Sequence, residues 1–126
     1  MTYLKENSKG DVNILRAKKK LGDIILRLGD LECQKNQFKN ALVHYKKAQV
    51  IREEIEDKKL SRGLAEVYFL IGNAYLYENS ATAEVEALKF YQLARQILIN
   101  NLCKALNVPT LTDDLKKSKI FDQPNI

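Results

Sequence analysis

One histidine, two cysteines and scattered carboxylates are all that this sequence offers for catalysis or metal binding. His44 has no carboxylate three or four residues away to orient it as a general base. Cys33 and Cys103 stand alone, without C-x-x-C spacing and with only His44 as a further candidate ligand. They read as reduced thiols packed into apolar surface. The glycines of "LGD" (residues 28–30) and "IGN" (71–73) are single and lie in helical pattern, not in a glycine-rich turn that could cradle a phosphate. A triad, a metal cluster and a phosphate loop all lack their residues. The expectation is a non-enzyme without cofactor, metal or small-molecule substrate.

Binding chemistry is better supplied. The formal charge of +5 is uneven: residues 1–63 carry 15 Lys/Arg against 9 Asp/Glu, and residues 64–126 carry 6 against 7. A basic N-terminal half can meet nucleic acid or an acidic partner. However, "RAKKK" (Arg16–Lys20) falls inside a helical pattern, so a solvated face is the favoured reading and direct nucleic-acid contact the weaker one. No apolar run reaches the ~18–20 residues of a membrane span, and the N-terminus carries no signal-peptide pattern. The expected protein is soluble and intracellular. With 126 residues it forms one domain, able to bury roughly two thirds of its unfolded surface.

The elements that must position these residues are helices. Leu15, Leu21, Ile25, Leu28 and Glu32 recur at helical intervals from Asp11 to about Lys35, with Ser8 and Asp11 resembling a capping box. After the break "QKNQF", a second helix is predicted from about Phe38 to Asp57. A third runs from about Arg62 to Tyr77 with Ser61 as its cap. A fourth runs from about Ala83 to Leu106, with Thr82 as cap and Glu84 and Glu86 near its positive start. Val108–Pro109 ends it, and Thr110 with Asp113 caps a short last helix from about Leu111 to Lys119. Tyr and Val occupy helical and not alternating positions, so the fold class is all-α.

Two stretches share one spelling: "ALVHYKKA" at 41–48 and "ALKFYQLA" at 87–94. Ala41, Tyr45 and Ala48 fall on one helical face, and so do Ala87, Tyr91 and Ala94. Small residues on either side of a ring let a second helix approach closely, with the ring filling the gap. Upstream of each stretch lies a helix with a glycine, Gly29 in "LGDLE" and Gly72 in "IGNAY". The combined pattern, L-G-x-x-Y, a gap, then A-x-x-x-F/Y-x-x-A, resembles the tetratricopeptide repeat. That resemblance implies an α-solenoid of helix-turn-helix units: about four long antiparallel helices plus a short C-terminal one. The organisation expected is an extension at 1–10, two repeats at about 11–57 and 62–106, and a capping helix with loose tail at 107–126. The glycines stand 43 residues apart, against a standard period of ~34. The excess falls in the long second helix and the basic turn after it.

"IREEIEDKKLSRGLAEVYFLIGNAYLY" (51–77), together with Leu28–Gly29–Asp30 and Asn36 to Ala41, resembles the interrupted repeats of NASP-type histone chaperones. The likeness covers roughly residues 21–102. It implies a non-catalytic, nuclear chaperone, shuttling with the cytoplasm, that binds core histones through an acidic, aromatic groove. A generic tetratricopeptide scaffold for another peptide or protein is the alternative. In such arrays the first helix of each unit lines the concave face, which here implies Asp23, Leu26, Asp30, Cys33 and Gln34 from one unit. The other contributes Glu66, Phe69, Asn73, Leu76 and Tyr77. The binding residues expected are Asp23, Asp30, Gln34, Glu66, Phe69, Asn73 and Tyr77. Charge acts locally, within about 8 Å at physiological salt, so an acidic groove is compatible with a basic chain. The clamp that grips heat-shock chaperone tails would need Lys and Arg in the groove; Asn73 is in place but the remaining positions are acidic or apolar. A continuous solenoid core takes about three units, so the chain is a fragment, is capped by its end helices, or self-associates into a homo-oligomer.

Overall fold

The computed structural model describes residues 8–108. Four helices follow one another: α1 (Ser8–Gln34), α2 (Phe38–Ile55), α3 (Arg62–Glu78) and α4 (Ala83–Ala105). There is no strand among the described residues, and the chain is all-α as expected. The predicted helix at 111–119, its Thr110 cap and the tail lie outside the described residues.

Local chemistry sets the boundaries. Ser61 Oγ accepts the Leu64 amide at 3.0 Å and caps α3 as predicted. Thr82 holds the N-cap position of α4 but its side chain makes no capping bond. Glu84 and Glu86 fill that helix's first turn. Ser8 does not stand ahead of α1 as a cap; it is already helical. Helix α2 ends at Ile55, two residues before the predicted end, where Glu56 turns extended. Helices α1 and α3 both give way to an asparagine in the left-handed region, Asn36 (φ 61°) and Asn79 (φ 59°). Each stands seven residues after its helix's glycine. Asn36 belongs to a Schellman turn, with Gln37 N–H on Glu32 O at 2.8 Å and Asn36 N–H on Cys33 O at 2.9 Å.

Extensive packing runs between sequence neighbours: α1 on α2, α2 on α3, α3 on α4. Contacts step down one helix as they climb the next, Glu32 to Asn40, Asp30 to Tyr45, Asp23 to Arg52, so these helices are antiparallel. The packing faces are those spelled by the repeated motif. Ala41, Tyr45, Ala48, Ala87 and Ala94 are buried. A Cβ on Gly29 would lie 2.5 Å from Tyr45 Cε1, and one on Gly72 would lie 2.7 Å from Tyr91 Cε1. In both hairpins, therefore, a tyrosine ring lies flat against a helix surface that only glycine leaves open. One core cluster joins Leu26, Leu42 and Tyr45 to Val67, Ile71 and Ala74; a second joins Leu64, Ala65 and Tyr68 to Ala94 and Ile97.

The turn between α2 and α3 is held from α4. Asn100 Nδ2 donates to Lys59 O at 3.0 Å and Asn101 Nδ2 to Leu60 O at 2.7 Å, satisfying carbonyls that no helix ladder reaches. Cys103 is buried and Cys33 half-buried, and both thiols are free.

Candidate binding groove

The glycine–tyrosine contacts fix the residues that follow each glycine. Tyr45 Oη donates to Asp30 Oδ1 at 2.5 Å, and Tyr91 Oη bonds Asn73 Oδ1 in the same way. Asp30 and Asn73 thus anchor the ring of the facing helix while their backbones sit on α1 and α3. Burial, and then the hydrogen bond to Asp30, push the Tyr45 hydroxyl well above its usual range. Burial followed by the bond to Glu53 does the same to Tyr68. Asp30 also accepts from Arg27 Nη1 at 2.7 Å, a bond that raises the guanidinium's pKa further.

Arg52 connects three elements. Its side chain is buried, and it donates to Gly63 O at 2.7 Å, to Asp23 Oδ1 at 2.7 Å and to Glu66 Oε1 at 3.2 Å. Arg27 reaches Glu66 from α1 at 3.9 Å. Asp23, Asp30 and Glu66, predicted separately from α1 and α3, therefore form one network through Arg27 and Arg52. Three carboxylates against two guanidiniums leave the network one negative charge. Beside it lies a small polar cleft of about 200 Å³ lined by Lys19, Asp23, Arg52, Glu56 and Glu66, among others. Glu56 Oε2 is buried without a hydrogen-bond partner among the described residues.

The aromatic positions divide. Phe69 is 52% exposed and leans on Tyr91 with ring centroids 5.8 Å apart, so Phe69 and Asn73 share one neighbour. Tyr77 is 64% exposed and packs on Phe38 at 5.5 Å, away from the acidic network. Tyr75 stacks on Phe90 at 5.9 Å with Lys46 over its ring, and so serves packing between α3 and its neighbours. Gln34 is exposed at the last position of α1. Leu26 corrects the sequence reading: it does not line the groove but is fully buried in the first core cluster, turned toward α2. Cys33 is half-buried with its sulfur 3.5 Å from Tyr45 Oη, and so contributes little surface.

Arg52 and Arg27 were not among the predicted site residues. Arg52 had a signal, because Ala41, Tyr45, Ala48 and Arg52 step by four, three and four along the buried face of α2. Among the described residues no group of three or more His, Cys, Asp or Glu is placed to hold a metal ion, and no helix is long and apolar enough to cross a membrane. Against this geometry stand the comparisons with known proteins: the chain matches no protein-family model, no curated protein and no solved structure.

Proposed function

We propose that this chain is a non-catalytic, tetratricopeptide-like binding module that holds a basic peptide segment along α1 and α3. We take core histones as that segment's source, on the strength of the NASP-type resemblance, and nuclear residence follows from the same resemblance. The observation that carries the reading is the meeting of Asp23, Asp30 and Glu66 from two helices, with exposed Phe69 close by on α3. A ligand lysine or arginine entering the cleft meets Asp23, Glu66 and the unsatisfied Glu56 oxygen. Phe69 supplies an apolar anchor of the kind that dominates binding energy at interfaces. Asn73 and Tyr77 extend the surface toward the far end of α3, and Gln34 stands at the end of α1.

A second reading, a scaffold for a different peptide, is favoured by one observation. Arg27 and Arg52 already neutralise most of the groove's acid, so a basic ligand must compete with internal partners. Calorimetric titration with core histone pairs at physiological salt separates the two. The histone reading expects saturable binding that Glu66→Lys removes and that an unrelated basic protein does not reproduce. Equal binding of both proteins, or none, leaves the scaffold reading.

A further inference from the structure

The two hairpins can be superimposed in sequence by their glycines, 43 residues apart, and by their tyrosines, 46 apart. Val67, Ile71 and Ala74 of α3 are fully buried in the cluster that contains Leu42 of α2. The same positions in α1 are Ile24, Leu28 and Leu31, which are 58%, 42% and 51% exposed. On the opposite side, Leu42 is 8% exposed while its counterpart in α4, Leu88, is 57% exposed. Leu102, two heptads further along α4, and Leu106, just past its end, continue that stripe at 45% and 63%. An open apolar hollow of about 470 Å³, lined in part by Leu76, Val85 and Leu88, lies at the same end. The chain thus buries one helix-on-helix interface inside itself and displays the two halves of the same interface at its ends.

We infer that a second copy of this chain covers each end, with α1 of one copy stacking on α4 of the next as α3 stacks on α2. The internal register, with Lys46 on Tyr75 and Glu53 on Tyr68, transfers directly. Shifted by the same 46 and 43 residues, these pairs become Gln92 against Glu32 and Ile99 against Ile25, with Leu102 beside Leu21 and Gly22. A contact between two different faces does not close on itself, so the assembly grows as a chain or a ring. The acidic network of the groove lies on another face of α1, and this inference does not depend on its ligand.

Sedimentation velocity of the 126-residue chain, from micromolar to near-millimolar concentration, tests it. The parent is expected to grow past dimer with concentration. Leu28→Glu, which blocks the head, and Leu102→Glu, which blocks the tail, are each expected to be monomeric with unchanged helical circular dichroism. An equimolar mixture of the two keeps one intact head and one intact tail and is expected to give a dimer and nothing larger. A parent that stays monomeric throughout overturns the inference. So does assembly abolished by Leu28→Glu but not by Leu102→Glu, and so does a mixture that remains monomeric.

Discussion

Replacing Gly29 by alanine puts a methyl group 2.5 Å from Cε1 and 2.6 Å from Cδ1 of Tyr45. Carbon atoms in contact sit ~3.5 Å or more apart, so the ring must retreat by about 1 Å. It has nowhere to go cheaply, because Tyr45 is buried and its hydroxyl is held by Asp30. Overpacking of this kind costs ~1–3 kcal/mol. Alanine in place of glycine inside a helix returns ~1 kcal/mol. The expected net effect of Gly29→Ala is a loss of up to ~2 kcal/mol. In a Tyr45→Leu background the obstruction is gone, and the same substitution should stabilise by ~0.5–1 kcal/mol. Urea denaturation of the four proteins measures the coupling directly, expected near 2 kcal/mol. Stabilisation of the parent by Gly29→Ala, or an equal effect in both backgrounds, would refute the obstruction by Tyr45. Gly72 and Tyr91, with approaches of 2.7 and 2.8 Å, should repeat the result.

Arg52→Met removes the bond to Gly63 O, and should cost ~2 kcal/mol in urea unfolding, most of it from that carbonyl, because Asp23 and Glu66 stay partly hydrated and their exposed ion pairs contribute little. Asn101→Ala should cost about 1 kcal/mol by freeing the Leu60 carbonyl, with faster amide exchange across 58–61 as the local sign. Alkaline pH offers a third test. Tyr45, Tyr68 and Tyr91 keep their protons more tightly folded than unfolded, chiefly because they are buried. Their contribution to stability is therefore complete below the unfolded tyrosine value of about 10 and falls as pH rises through their higher folded values. Stability that is flat from pH 9 to well above that value, by denaturant melts at each pH, would contradict the burial of these hydroxyls.

Much of the fold was legible because helical packing is written locally. The alanine–tyrosine spacing marked the buried face of α2 and α4 as one that lets a second helix come close; that each ring lies on the facing helix's glycine was seen only in the structure. Ser61 capped the helix it was expected to cap. What stayed hidden depends on distance along the chain. Arg52 sits in "IREE", where four residues suggest an exposed charged face, and its partners are 11 residues later at Gly63 and 29 earlier at Asp23. Asn100 and Asn101 serve a turn 41 residues upstream. Leu26 was assigned to the groove from its place relative to Gly29, but periodicity yields an angle around one helix and not which neighbour stands there. Asp23, Asp30 and Glu66 were named as three separate carboxylates; that two arginines join them was not foreseen, since pairing across α1 and α3 leaves no mark at helical spacing.

The central question is whether a basic ligand lies along α1 and α3. Amide shifts of the isotopically labelled chain during titration with core histone pairs would measure this. The expected result is perturbation concentrated at Asp23, Asp30, Glu66, Phe69 and Asn73, with Arg52 and Gly63 moving as the internal ion pairs rearrange. Saturable binding whose shifts fall instead on the outer face of α2, around Val43 and Val50, would contradict it.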